Sequence, residues 1–138
     1  MTRVLGIDPG TKRCGIAITN ADRTMAFPRP ALSRDASLLE RLSTLVDDEG
    51  IATIVLGRPI ALSGTQTSST HDADALFHEV SIRFATLEVV QCDERLTTVE
   101  ARRSLSQAGH RARDHRERVD SAAAVIMLQN YLDGLNAE

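Results

Sequence analysis

The sequence predicts an α/β domain on a mixed five-stranded sheet with helices on both faces, in the order β-β-β-α-β-α-β-α-α. Three observations predict it. The chain opens with two short apolar runs, RVLGID and CGIAITN, separated only by PGTKR, which is the pattern of a hairpin. A later run, IATIVLG, is apolar throughout, as expected of a strand covered on both sides. After residue 33, strand-length and helix-length segments alternate, as they do in parallel crossovers.

The elements follow in order. Residues 3–8 form the first strand and 14–20 the second, with a Pro-Gly turn over 9–13. Residues 24–32 form a third strand, and Pro28 and Pro30 place it at an edge of the sheet. Leu38, Leu39, Leu42, Leu45 and Val46 make one helical stripe. Ser33 or Asp35 is positioned to cap that helix, and Gly50 stands just past its end. Residues 51–57 are the fourth strand. A polar connection follows, then a helix with Thr70, Ala73, Phe77, Val80 and Phe84 on one face. Residues 86–92 are the fifth strand, ending at Asp93 and Glu94. Thr97 and Glu100 have capping-box spacing and start a helix that stops at Gly109. A last helix covers roughly 115–135, with Val119, Ala123, Ile126 and Leu128 among its apolar positions. No repeat or linker divides the chain, so residues 1–138 are expected to be one domain.

Composition narrows the function. The chain is 42% hydrophobic and 25% charged, ordinary for a folded soluble protein. Only 3% is aromatic, with no Trp, which argues against base stacking on aromatic platforms. No stretch reaches the roughly 20 apolar residues of a membrane span, and no secretory leader pattern opens the chain. Cys14 and Cys92 are expected to be reduced bystanders. These features point to a cytoplasmic protein. Net charge is -3, yet residues 95–118 carry seven arginines against three acids. That asymmetry suits an anion-binding surface; it equally suits a solvated, arginine-rich helix face.

The carboxylates carry the chemistry. Asp8 stands where the first strand ends, and Asp93 and Glu94 where the last strand ends. Right-handed crossovers make those strands parallel, so both ends open on one edge of the sheet. Asp120 lies early in the final helix, beside Ala122, Ala123 and Ala124, whose small side chains allow a close approach to the sheet. Converging carboxylates repel unless a cation lies between them. Hard oxygen donors suit Mg2+ or Mn2+. Two such ions about 4 Å apart can hydrolyse a phosphodiester. Each acid taken alone also has an ordinary role, as a turn former, a surface charge or a helix-start acid. Gly6, inside a strand, implies close packing of a ligand, a helix or a backbone.

Four segments together resemble the YqgF/RuvX family. GIDPGTKRCGIAITN is similar to its opening motif and LGRPIALSGTQTSST to its middle motif; DERLTTVEARRSLSQAG is very similar to its third, and RVDSAAAVIMLQNYL to its last. The resemblance spans essentially the whole chain. It implies a ribonuclease H-like fold close to bacterial Holliday-junction resolvases. It implies a metal-dependent nuclease with Asp8, Glu94 and Asp120 as metal-holding catalytic residues, Glu94 rather than Asp93 being the ligand. It associates the chain with 5′-end maturation of pre-16S rRNA and, as an alternative, with junction resolution. One local departure is Asn20, where many members are acidic.

The expected partner is therefore nucleic acid, structured RNA or branched DNA, bound by a monomer or homodimer. The expected phosphate contacts are Lys12, Arg13, Arg58, Arg95, Arg102, Arg103, Arg111, Arg113, Arg116 and Arg118. Intact Asp8, Glu94 and Asp120 disfavour a non-catalytic binding factor of the same fold. A sugar-kinase or actin-like ATPase, which opens with a similar Asp-x-Gly-Thr, needs two such domains.

Overall fold

A computed structural model describes residues 3–59, 66–93 and 112–136, with the side chains of the last segment described from Ser121 to Leu135. Eight elements occupy them: β1 (Arg3–Asp8), β2 (Arg13–Thr19), β3 (Ala26–Ser33), α1 (Leu38–Glu49), β4 (Ile51–Arg58), α2 (Ser68–Arg83), β5 (Glu88–Asp93) and α3 (Ala112–Asn136). The expected helix between Thr97 and Gly109 lies outside the described residues.

The five strands form one sheet in the order β3-β2-β1-β4-β5. β1 pairs antiparallel with β2, from Leu5–Ile18 to Asp8–Gly15. It pairs parallel with β4, and β4 pairs parallel with β5. The sheet is therefore mixed, and the three parallel strands end on one edge. β3 is an outer strand, where the missing N–H groups of Pro28 and Pro30 are tolerated.

Alternation along the strands sorts side chains onto two faces. Leu5, Ile7, Ile16, Ile18, Ile54 and Leu56 face α1 and α2, packing with Leu38, Leu42, Leu76 and Val80. Val4, Ala17 and Val55 face α3, packing with Ala124, Met127, Leu128 and Leu132. Both faces of the central strands are thus covered, which is why IATIVLG is apolar throughout.

Several local expectations shift by a residue or two. β3 starts at Ala26 because Asn20 Oδ1 accepts from the backbone N–H groups of Thr24 and Met25 and holds them in a turn. Arg23 has φ 58° in that turn. The N-cap of α1 is Ser37, not Ser33 or Asp35, and its side chain makes no capping bond. Asp35 Oδ1 instead accepts from the Ser37 N–H and hydroxyl, at 2.9 and 2.6 Å. Gly50 closes α1 in the left-handed region at φ 65°, as expected of a glycine there. In α2, Leu76 is fully buried and Phe77 lies at the margin of the core. In α3, Met127 takes the buried position beside Leu128, and Ile126 is only half-buried.

Candidate active site at the C-terminal edge of the sheet

β1 delivers Asp8 to the edge where the parallel strands end. Gly6 faces α3, since a Cβ built on it would meet Leu128. Asp8, two residues on, shares that face. It is half-buried. Its neighbour across β2 is Gly15. On the other side, one step past the Ile7–Leu56 pair, is Gly57. Both glycines are buried. Asp8 is thus flanked on both sides by strand residues that carry no side chain.

The turn after Asp8 is tight. A Cβ on Gly10 would lie 2.3 Å from the Arg13 carbonyl oxygen, so no other residue fits that backbone. Lys12 in this turn is exposed and Arg13 half-buried.

α3 reaches the same level of the sheet. Ser121 Oγ donates to the Arg29 carbonyl at 2.7 Å. Arg29 pairs with Ile16, and Ile16 with Ile7, so Ser121 lies level with the last residue before Asp8, two strands away from it. Eight residues on, Gln129 Oε1 accepts from the Ala26 N–H and its Nε2 donates to the Thr24 carbonyl. The helix is pinned at two points to the edge strand. Asp120 belongs to α3 immediately before Ser121; its side chain lies outside the described residues.

Asp93 takes the other face. In β5, Val89 packs with the α1/α2 core, and Val90 and Cys92 with the α3 core. Gln91 Nε2 donates to Asp74 of α2 at 3.0 Å. Asp93 follows Val89 and Gln91 onto the α2 face, opposite Arg58 in the strand register. Asp8 and Asp93 therefore stand on opposite sides of the sheet. Glu94, Arg95, Arg102, Arg103 and Arg111 lie outside the described residues, as do the side chains of Arg113, Arg116 and Arg118. Among the described residues, no group of three His, Cys, Asp or Glu side chains is arranged to hold a metal.

Arg58 is engaged within the protein. Its Nε and Nη2 donate to the two carboxylate oxygens of Asp74 at 2.9 and 3.1 Å. That fork, with Gln91, lowers the Asp74 pKa to about 2. A second fork joins Arg34 to Asp72, at 2.7 and 3.1 Å, and Arg34 Nη1 also donates to the Gly10 carbonyl at 3.0 Å. The sequence marked none of Arg34, Asp72, Asp74 and Gln91. The only cue was the HDAD cluster in the first turns of a helix, a place where acids are commonplace.

Both cysteines are free, with Cys14 buried and Cys92 half-buried. Burial pushes each thiol above its ordinary pKa, which suits bystanders rather than nucleophiles. No helix among the described residues is long and apolar enough to cross a membrane.

Comparison with known proteins gives a consistent picture. The family model described as "RuvX: Holliday junction resolvase" matches residues 2–134. A Mycobacterium ulcerans protein, provisionally named as a pre-16S rRNA nuclease, is 44% identical over 133 residues, covering 95% of this chain and 78% of its own. A Leifsonia xyli protein of the same name is 42% identical over 135 residues, covering 96% and 86%. Among solved structures, Thermus thermophilus RuvC in complex with a Holliday junction substrate superposes with a TM-score of 0.62 at 11% identity, covering 99% of this chain and 97% of its own. The fowlpox virus Holliday junction resolvase gives 0.62 at 10%, covering 96% and 99%. The fold is that of the RuvC-like, ribonuclease H-like resolvases.

Proposed function

Because the chain belongs to the RuvX family, nucleases that hydrolyse phosphodiester bonds, we propose that it is a divalent-metal-dependent endonuclease acting on structured RNA, specifically the 5′ region of the 16S rRNA precursor. The observation that carries the catalytic part is the place of Asp8: a half-buried carboxylate at the end of a parallel strand, flanked by Gly15 and Gly57, on the face covered by α3. The choice of RNA rests on the names of relatives 42–44% identical over nearly the whole chain.

The donor set suits Mg2+ or Mn2+. Asp8 offers hard oxygen atoms, and neither of its strand neighbours, Gly15 and Gly57, has a side chain that could compete for them. We assign Glu94 and Asp120 as the other ligands. Asp93 stands on the face away from Asp8, so Glu94 is the neighbour that completes the set. When bound, the metal supplies the positive charge that activates water and stabilises the charge developing on the phosphate. The protein's own part is to hold Asp8 in place from a tight turn and to bring phosphates close through Lys12 and Arg13. The remaining expected arginines extend that contact, except Arg58, whose guanidinium is forked onto Asp74 on the α2 face.

A second substrate, branched DNA, is favoured by neighbours solved with Holliday junctions. Symmetric cutting of a junction calls for a two-fold dimer, whereas RNA processing works for a monomer. Ribosomal RNA as substrate places the protein in the cytoplasm.

The test is cleavage by the purified protein with Mn2+ or Mg2+, on a 16S precursor 5′ segment and on a four-way DNA junction of matched size. Metal-dependent cutting of the RNA, absent in Asp8→Asn, is the expected result. Cutting of the junction alone overturns the RNA assignment. Cutting by a folded Asp8→Asn protein at the wild-type rate overturns the site.

A further inference from the structure

Three residues in the first two turns of α2 each bind a different part of the edge where the candidate site lies. Thr70 donates its hydroxyl to the carbonyl of Pro59, the residue after β4. Asp72 receives the Arg34 fork, and Arg34 in turn holds the turn after β1. Asp74 receives the Arg58 fork from the end of β4 and the Gln91 amide from β5. We propose that this stretch of α2 is a bracket whose Asp72 and Asp74 are positioning residues, fixing the ends of β1, β4 and β5 and so the direction of Asp8. The proposal rests on the metal-nuclease reading for its consequence, though not for its geometry.

The arm at β1 is the more fully determined. Residues 9–12 link Asp8 to β2, and Arg34 ties down two of their carbonyls. Its backbone N–H donates to Lys12 at 2.8 Å, and its Nη1 to Gly10 at 3.0 Å. Its side chain is only 18% exposed, and the Asp72 carboxylate takes one N–H from each of its Nη1 and Nη2. A planar fork can hold a bidentate carboxylate and a carbonyl at once, and a lysine ammonium cannot reproduce that pattern. Asp8 points to the α3 face, while Asp72 belongs to a helix packed on the opposite face. The bracket therefore reaches Asp8 only through the backbone of its turn. Groups bonded directly to a metal ligand typically matter about 10- to 100-fold in metal affinity or activity, and a support one backbone link further away is expected at the low end of that range.

The experiment is a Mn2+ titration of the isotope-labelled full chain by NMR, following paramagnetic broadening of the residue 8–15 amides. Amide exchange and thermal midpoint are measured on the same samples. Arg34→Lys keeps every charge, so it separates geometry from the field of the protein. It is expected to weaken Mn2+ binding about 10-fold and to speed exchange at residues 10–13. It should also raise the Mn2+ concentration for half-maximal cleavage, with the saturated rate little changed. Asp72→Asn should do the same. Asp74→Asn should speed exchange at residues 91–93 instead. Arg29→Lys, which alters the Arg29–Glu49 surface pair, is the control and should leave binding and exchange as in wild type. Wild-type Mn2+ affinity and exchange in Arg34→Lys, even with a lowered thermal midpoint, would make the pair a mere staple and overturn the proposal. If the wild-type protein shows no broadening near Asp8, the metal-nuclease reading fails instead. Exchange then decides the bracket alone: faster exchange at 10–13 in Arg34→Lys supports it, and unchanged exchange overturns it.

Discussion

Gly6 of β1 lies against Leu128 of α3: a Cβ built on Gly6 would stand 3.1 Å from both the Cβ and the Cδ2 of Leu128. The absent side chain is what lets α3 lie directly on the central strand. One of these atoms is a movable side-chain tip, but the other is next to the helix backbone, so a larger residue asks α3 itself to give by a few tenths of an ångström.

The two residues should therefore be coupled. Gly6→Ala is expected to destabilise by about 1–3 kcal/mol through overpacking, and Leu128→Ala by about 2–5 kcal/mol through the cavity it leaves. In the double variant the Cγ and Cδ2 contacts of the new methyl group are gone while the Cβ contact stays, so the combined loss should be smaller than the two single losses together. Urea unfolding of the four proteins measures this. Strict additivity would mean that α3 is not seated by this contact. Because α3 also carries Asp120, Gly6→Ala should reduce cleavage more than its stability loss explains.

The strands and most helices were legible from the sequence because burial on two sheet faces leaves apolar runs, and glycines and prolines mark the ends. Gly50 and the edge position of Pro28 and Pro30 are of this kind. Gly6 was visible as a close approach, but not which of ligand, helix or backbone approached it. Starts of elements were less legible, because side chains compete for them: Asn20 holds residues 24 and 25 out of β3, and Asp35 binds Ser37 without capping α1. In the site, Asp8 was legible from its strand end. The Arg34–Asp72 pair was not, because its partners are 38 residues apart, and only the folded chain brings them together.

The faces of β5 lead to a sharp prediction for its end. Asp93 is exposed, on the α2 face and opposite Arg58 in the register, away from Asp8. Asp93→Asn should keep cleavage within a few-fold of wild type. Glu94→Gln should abolish it, since the change removes ligand charge at nearly constant volume. Single-turnover cleavage at saturating Mn2+ compares the two directly, with circular dichroism as the check on folding. A more damaging Asp93→Asn would reverse the assignment.

Asp74 sets an acid limit on the bracket. Its folded pKa is about 2, below the ordinary 3.8, because Arg58 and Gln91 hydrogen-bond the ionised form. A depressed carboxylate stabilises the fold above its unfolded pKa and loses that contribution as pH falls through the folded one. Its stabilisation should be complete at pH 6 and should fade between about pH 4 and 2. The Asp74 side chain is 38% exposed, so salt should shrink the effect. Urea midpoints of wild type and Asp74→Asn, measured at pH 6, 4 and 2.5, should converge as pH falls. A gap that stays constant across this range would show that Asp74 ionisation contributes nothing.

The arginines between Glu94 and Asp120 yield the last prediction. Seven arginines in residues 95–118 stand on a chain of net charge -3, and the segment is tethered at both ends to residues assigned to the site. Contacts to phosphates add affinity without reading base sequence, and each neutralised phosphate releases counterions. Changing Arg111 and Arg113 to Ala should weaken binding about equally for RNA segments of unrelated sequence. It should also flatten the slope of log affinity against log salt by roughly one per lost contact. Stability is expected to change by no more than ~0.5 kcal/mol. Lys12→Ala should act in the same direction, since Lys12 is exposed in the turn beside Asp8. The measurement is a salt titration of binding with Ca2+ in place of Mg2+. Ca2+ takes the same oxygen ligands but with looser coordination than the near-ideal octahedron of Mg2+, and wild-type protein must first be shown not to cut under these conditions. Equal affinities and equal slopes for wild type and the Arg111/Arg113 variant would reduce this segment to a solvated face. The charge asymmetry would then reflect the composition of the chain, in which 15 of the 16 basic residues are arginine, and not its substrate.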